Sequence, residues 1–188
     1  IIDVIERPAD RCFMPLTVGG GVRSTGDMRT LLRAGADKIS LNSAALARPE
    51  IIAEGAGAFG RQCMVVSIDA RQNLWKRWKV YVKGANKETR YSPAEFAREC
   101  ERLGAGEIFL TAAEREGEFS GYDLGLVKRV TEAVGLPVVV NGGAGQVADF
   151  APAVAAGASA VAAGSMFVFA AKGEGMLISY PSQSELRE

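Results

Sequence analysis

Short apolar runs alternate with segments of helical spacing along the whole chain. The apolar runs predict six strands, and the periodic segments predict helices before and between them. Strict alternation of this kind is typical of an α/β fold built on a parallel sheet. The predicted strands are 15–18, 38–41, 63–68, 107–111, 137–140 and 158–163, and the predicted helices are 1–6, 27–34, 49–59, 93–103, 124–134 and 147–156.

Two segments depart from this alternation. Residues 73–84 interleave aromatic and β-branched side chains with basic ones, which predicts a β-hairpin inserted after the third strand. Residues 152–171 carry no charge, and a run of about twenty such residues could span a membrane. Glycines interrupt this run, so we interpret it as the end of a helix, a buried strand and a short turn.

Two pairs of segments match at one distance along the chain. Pro15-Leu-Thr-Val-Gly-Gly-Gly21 resembles Pro137-Val-Val-Val-Asn-Gly-Gly143, and 137 − 15 = 122. Residues 35–43 resemble residues 157–165 at the same offset. Two halves of this length make about 244 residues, the size of an eight-stranded (β/α)8 barrel.

The repeat therefore predicts a single domain, 1–188, that is part of a TIM barrel made of two duplicated half-barrels. The first half lacks about its first βα unit and second strand, so we expect roughly 50–60 further residues ahead of this segment. A doubly wound sheet is the alternative architecture, and the half-barrel repeat argues against it.

The composition narrows the possible chemistry. The 188 residues include 22 basic and 22 acidic side chains and no histidine. A balanced charge argues against nucleic acid or an anionic membrane as a partner. Without histidine, proton transfer must rely on carboxylates, lysine, hydroxyls or thiols, and nothing in the sequence indicates a metal or a redox cofactor.

The cysteines indicate the compartment. Cys12, Cys63 and Cys100 form no disulfide or CxxC pattern, which favours a reducing, cytoplasmic compartment.

Glycine-rich turns follow two of the predicted strands, where the active site of a parallel barrel lies. Such turns let backbone N–H groups approach an anion, and each is paired with a hydroxyl residue after the neighbouring strand. The duplication predicts a ligand with a phosphate at each end, although either turn alone could simply be a tight βα connection. The first set is Gly20, Gly21, Asn42 and Ser43, and the second is Gly142, Gly143, Gly164 and Ser165.

Acidic residues near strand ends are the candidates for proton transfer. Asp69 follows the third apolar run, where its surroundings can tune its acidity, and the alternative is a solvated or capping residue. Glu114 lies in a long charged loop, 111–123, that could fold over a ligand or face solvent. Asp123 at the end of this loop is placed to cap the next helix. Thr111, Glu116 and Asn141 are further candidate active-site residues.

These motifs resemble the cyclase subunit of imidazole glycerol phosphate synthase, the HisF family of histidine biosynthesis. The resemblance covers nearly the whole chain and rests on both repeats and on residues 65–69, 104–111, 120–123 and 141–145. It implies a (β/α)8 barrel that uses ammonia from a glutaminase partner of the HisH type. The implied substrate is a bisphosphorylated ribonucleotide, PRFAR, and the products are imidazole glycerol phosphate and the ribotide AICAR.

The resemblance also implies roles for single residues. Asp69 would be one of two aspartates that act as general acid and base, the other lying on the first barrel strand. Lys38 and Glu107 match positions that gate an ammonia channel, and Asp37 matches a position facing the glutaminase; an ordinary salt-bridge cluster is the alternative. Gly21, Asn42 and Ser43 would bind one phosphate, and Gly117, Gly143, Gly164 and Ser165 would bind the other.

Several positions depart from the family pattern. Glu114 and Glu116 stand where the family usually has aspartates, and Asn141 stands where it usually has serine. Residues 164–169 and 176–181 resemble a paralogous branch that amidates sugars in surface-polysaccharide synthesis. Two alternatives therefore stay open: such a sugar-amidation activity, and a non-catalytic partner that only activates a glutaminase.

Overall fold

The computed structural model describes residues 2, 4–5, 14–82, 87–169, 175–176 and 178–186. The chain divides into two compact units. The first unit comprises the residues up to Ser67 together with Arg98–Ile108, and the second comprises Ile68–Ala97 and the residues from Phe109 onwards. Residues 1, 3 and 6 of the predicted helix 1–6 and the end of the predicted hairpin, residues 83–84, lie outside the described residues.

Strands and helices alternate along the described chain, as the apolar pattern predicts. This alternation confirms the α/β class and is that of a partial TIM barrel. The elements are β1 (Thr17–Gly19), α1 (Thr25–Arg33), β2 (Lys38–Leu41), α2 (Ser43–Ala47), α3 (Glu50–Phe59), β3 (Met64–Gln72), β4 (Trp78–Val82), β5 (Lys87–Glu88), α4 (Pro93–Arg102), β6 (Glu107–Ala112), α5 (Leu124–Thr131), β7 (Val138–Asn141), α6 (Phe150–Ala155), β8 (Ala160–Val161) and α7 (Ser165–Val168), with 3₁₀ turns at Arg61–Cys63 and Val147–Asp149.

In the first unit, β1, β2 and β3 lie side by side in chain order and run parallel. Thr17 pairs with Lys38, and Ile39 pairs with Met64. The start of β6 follows β3, and the N–H of Gly106 donates to the carbonyl of Met64 at 2.9 Å. Parallel strands bring their carboxyl ends to one edge of the sheet, which is where the first glycine turn lies.

In the second unit, the strand order is the end of β3, then β6, β7 and β8. β7 and β8 are parallel, whereas β4 pairs antiparallel with the end of β3, with Ala70 opposite Val80. β3 therefore continues to Gln72 and pairs with β4, so the hairpin forms between β3 and β4, and of these two strands only β4 lies in the predicted region 73–84.

Burial alternates along the strands because their two faces have different surroundings. Ile39 and Leu41 of β2 are fully buried, while Lys38 and Ser40, which alternate with them, are only half-buried. β7 shows the same alternation, and β6 shows it as far as Leu110, after which Thr111 and Ala112 are both buried. Along the apolar run of the third strand, Met64, Val65, Val66 and Ile68 are buried, whereas Ser67 is half-buried.

The uncharged stretch 152–171 ends one helix and forms a strand and a second short helix. β8 has only two residues, of which Ala160 is exposed and Val161 half-buried, so the prediction of a buried strand is wrong. Within the described residues, β7 is the only strand beside β8, and one edge of β8 therefore lacks a covering strand. A helix that combines the length and the hydrophobicity of a membrane span does not occur in the described part of the chain.

Candidate functional site: two anion pockets and a strand carboxylate

The first glycine turn lines a cavity of about 560 Å³ in the first unit. Gly20 and Gly21 directly follow β1, and Ser43 begins α2 with Asn42 as its N-cap. The structure thus brings all four residues of the first predicted set to one cavity. Its glycine backbone and its polar side chains can both offer hydrogen bonds to an anion.

This first cavity also contains two cationic residues that the sequence analysis missed. Arg23 lies two positions after the glycine turn, and Arg48 follows α2 and pairs with Glu54. The sequence could have indicated Arg23, because it lies beside the glycine turn. It could not have indicated Arg48, because the position of Arg48 depends on a short helix that the hydrophobic pattern does not reveal.

The second glycine turn lines a smaller cavity of about 220 Å³ in the second unit. Gly164 and Ser165 reach this cavity from the segment after β8. Glu116 and Gly117 reach it from the loop after β6. All the predicted residues of the second pocket therefore line one space, and the described lining contains no lysine or arginine. The residues that line the second cavity are Phe109, Glu116, Gly117, Asn141, Gly142, Gly143, Ala144, Ala162, Ala163, Gly164 and Ser165.

Close backbone approach requires glycine at this second turn. A Cβ atom on Gly142 would lie 2.6 Å from the carbonyl oxygen of Ala112, and one on Gly143 would lie 2.2 Å from that of Gly121. Both glycines also have positive φ angles, +91° and +111°. A side chain at either position would displace the loops that form the pocket.

The 122-residue repeat is present in the backbone as well as in the sequence. Gly35 and Gly157 have the same φ angle of +107°, and each follows the helix of its repeat. Ser43 is the first residue of α2 and Ser165 the first residue of α7, with 165 − 43 = 122. The two cavities are therefore built from equivalent elements of the two repeats.

Asp69 lies within β3, three residues before its end, and is half-buried. It is not among the residues that line the two cavities. Thr111 and Asn141 do come together, at the ends of the neighbouring strands β6 and β7. The side-chain amide of Asn141 donates to the hydroxyl of Thr111 at 3.4 Å, and Thr111 is only 5% exposed.

The loop after β6 is held at both ends by its charged side chains. Glu114 forms an ion pair with Arg71 of β3 at 3.4 Å, so this glutamate is tied to the hairpin strand. Asp123 caps α5, because its carboxylate accepts a hydrogen bond from the N–H of Leu126 at 2.8 Å. The predicted capping role of Asp123 is thus confirmed.

Lys38 and Glu107 form an ion pair at the amino ends of β2 and β6. Their Nζ and Oε2 atoms are 2.7 Å apart, and their side chains are 31% and 19% exposed. Asp37 next to Lys38 is exposed and accepts a hydrogen bond from the N–H of Leu16 at 2.7 Å. The pair lies at the opposite ends of the strands from the glycine turns.

Tyr122 does not line the second pocket, but it holds a residue that does, and the sequence analysis did not identify it. Its hydroxyl donates to the carbonyl of Ala162, a lining residue, at 2.9 Å. Burial, with a smaller contribution from the charge of Asp149, raises the pKa of Tyr122 to about 12. The hydroxyl therefore keeps its proton and stays a hydrogen-bond donor at neutral pH.

The strand order and the two equivalent pockets define an α/β protein of the barrel class with repeated halves. Residues 1–172 match the family model described as "Histidine biosynthesis protein", and the chain belongs to that family. Over 170 residues it is 54% identical to the HisF subunit of imidazole glycerol phosphate synthase from Hyphomonas neptunium (strain ATCC 15444). This match covers 90% of the chain and 67% of that protein.

Proposed function

We propose that this chain belongs to the cyclase subunit of an imidazole glycerol phosphate synthase. In this proposal, the protein uses ammonia from a glutaminase to convert PRFAR into imidazole glycerol phosphate and AICAR in histidine biosynthesis. Family membership and 54% identity to a HisF subunit support the proposal. The proposal names a lyase whose substrate carries two phosphates.

The observation that carries the proposal is the duplicated cavity lined by a glycine turn. Each repeat places a glycine turn and a serine at one cavity, with Ser43 in the first and Ser165 in the second. A substrate with two phosphates needs two such anion sites, and backbone N–H groups and hydroxyls are suitable ligands for them. We assign one phosphate of the substrate to each cavity.

Asp69 is the proposed proton-transfer group of this chain. The sequence contains no histidine, so a carboxylate is the available group for general acid–base chemistry near neutral pH. Asp69 is half-buried on a strand of the sheet, a position from which a side chain can reach a bound substrate. Thr111, Asn141 and Glu116 are proposed to contact the reacting part of the substrate.

The ion pair of Lys38 and Glu107 is the proposed gate for ammonia, and Asp37 is proposed to face the glutaminase. Both residues of the pair are partly buried, and a small movement of either side chain would weaken the attraction between the two charges. The position of the pair at the amino ends of the strands is the end at which ammonia would enter. The glutaminase partner would be of the HisH type.

Replacing one serine in each pocket tests the assignment of the two phosphates. Ser43→Ala and Ser165→Ala should each raise the KM for PRFAR roughly ten- to a hundred-fold, since each removes one hydrogen bond to a charged group. Ser179→Ala, at an exposed serine, is the matched control and should leave KM unchanged. PRFAR binding without turnover would favour the sugar-amidation branch. Activation of a glutaminase with neither binding nor turnover would favour a non-catalytic partner.

A further inference from the structure

We infer that Arg115 is a positioning residue for the second anion pocket. Its guanidinium group donates through Nη1 to the carbonyl of Ser120 at 3.2 Å and to that of Gly121 at 3.0 Å. Its Nη2 atom lies 3.4 Å from a carboxylate oxygen of Asp123. One side chain thus holds three of the four residues 120–123 at the end of the loop after β6. This inference rests on the phosphate role proposed for that pocket.

The contacts of Arg115 continue directly into the pocket. The N–H of Gly121, whose carbonyl Arg115 binds, donates to the carbonyl of Gly143 at 2.8 Å. Gly143 lines the cavity and has no space to move towards Gly121, since even a Cβ atom would lie 2.2 Å from that residue's oxygen. The position of Gly121 therefore determines where the backbone of Gly143 meets an anion.

Arg115 also precedes two residues that line the cavity, Glu116 and Gly117. The hydrogen bond from the side chain of Arg115 to the carbonyl of Ser120 closes the segment between them into a ring. Phe119 within this ring has a φ angle of +56°, which is unfavourable for a residue with a side chain. A conformation of this kind needs external contacts to hold it, and the arginine supplies them.

The chemistry of these contacts requires arginine in particular. A guanidinium group offers several donors in a fixed plane, so it can bind two carbonyls and a carboxylate at the same time. A lysine at this position would keep the positive charge but present one ammonium group without that fixed geometry. Arg115 is not among the residues that line the cavity, so its hydrogen bonds to the loop backbone are the contacts through which it acts on the pocket.

Phosphate titrations of Arg115→Ala and Arg115→Lys test the inference, with the first pocket as an internal control. The backbone amide NMR signals of Gly143 and Gly164 report on the second pocket, and those of Gly21 and Ser43 report on the first. In Arg115→Ala, we expect inorganic phosphate to bind the second pocket roughly ten- to a hundred-fold more weakly and the first pocket as in the wild type. Arg115→Lys should lose nearly as much.

A matched substitution and a kinetic readout separate positioning from general stability. Arg129→Ala, at an exposed arginine of α5, should leave both pockets unchanged. With PRFAR and ammonium, Arg115→Ala should raise KM by at least about ten-fold and change kcat much less. Unaltered phosphate affinity at Gly143, or an equal loss at both pockets, would overturn the inference alone. Failure of wild-type Gly143 and Gly164 to respond to phosphate would overturn the proposed phosphate role together with it.

Discussion

Asp27 and Asp149 make the same hydrogen bond at positions 122 residues apart. The carboxylate of Asp27 accepts from the N–H of Arg23 at 2.8 Å, and that of Asp149 accepts from the N–H of Gly145 at 2.8 Å. Each aspartate thus fixes the segment that leads from a glycine turn into the following helix. The two halves of the repeat therefore share the hydrogen bond that fixes the segment after each glycine turn.

Substitution of Asp27 should give a pH-dependent loss of stability. The hydrogen bond from the N–H of Arg23 is the largest cause that lowers the pKa of Asp27 below its ordinary value of 3.8. A carboxyl group with a lowered folded-state pKa stabilises the protein above 3.8, and this contribution is lost as the pH falls through the folded-state value. Asp27→Asn should therefore unfold at lower urea concentration than the wild type at neutral pH. The difference should shrink below pH 3.8, and a constant difference would contradict this explanation.

Two glycine-to-alanine substitutions in the second pocket should differ in their effect on stability. Gly143→Ala places a methyl group against the carbonyl of Gly121 at a positive φ angle, so we expect a loss of about 2–3 kcal/mol in the free energy of unfolding. Gly164→Ala meets no atom within 4 Å and should change stability by less than about 0.5 kcal/mol.

Gly164→Ala should nevertheless weaken phosphate binding, because Gly164 lines the cavity and the added methyl group takes space there. Urea denaturation and phosphate titration of the same two variants check both expectations. A stable Gly143→Ala protein with intact phosphate binding would show that the turn can relax around the extra carbon atom.

The ion pair between Lys38 and Glu107 should affect the use of glutamine more than the use of ammonium. Lys38→Met breaks the proposed gate at the end of the strands remote from the glycine turns. We expect it to alter glutamine-dependent turnover with the glutaminase present, while turnover with ammonium salts changes little. Equal effects on both nitrogen sources would contradict a gating role.

A double-mutant cycle on the same pair checks its energy. Lys38→Met and Glu107→Gln should show a coupling of about 1 kcal/mol, since both side chains are partly buried. Arg102→Met with Glu99→Gln is the control at a more exposed pair, where a coupling of only a few tenths, about 0.3 kcal/mol, is expected. Similar coupling energies in the two cycles would show that partial burial does not strengthen the pair of Lys38 and Glu107.

Cys100 should resist alkylation in the folded protein. Burial raises the pKa of the Cys100 thiol to about 12, so at pH 8 about one such thiol in ten thousand is ionised. Cys63 is half-buried and should react with iodoacetamide before Cys100. Peptide mass spectrometry after timed labelling checks this order, with labelling in urea as the control. Equal labelling of both cysteines in the folded protein would indicate frequent opening of the core around α4.

The fold was predictable wherever apolar residues repeat over several positions. β2 was predicted with its observed bounds, Lys38–Leu41, because it is a strand bounded by a glycine turn and a polar cap. α2 was missed because the five residues Ser43–Ala47 are too few to show a helical period. β3 runs beyond its apolar part because pairing with β4 holds polar residues such as Gln72 in the sheet.

The glycines and hydroxyl residues that line the two pockets were also predictable, because the repeat duplicates them. The residues that hold the second pocket in place were not. Arg115 and Tyr122 donate hydrogen bonds to the backbone carbonyls of Gly121 and Ala162. Every residue has a backbone carbonyl, so the sequence does not indicate which one a side chain will bind. Such contacts depend on the course of loops that only the folded chain determines.

The most direct test of the proposed function is the rate of imidazole glycerol phosphate formation from PRFAR and ammonium by the full-length protein. Asp69→Asn should lower kcat by at least about a hundred-fold, the usual loss when a general acid or base is removed. Glu132→Gln, at the exposed residue that follows α5, is the control and should retain full activity. Undiminished turnover in Asp69→Asn, or a wild-type protein that binds PRFAR without converting it, would contradict the account.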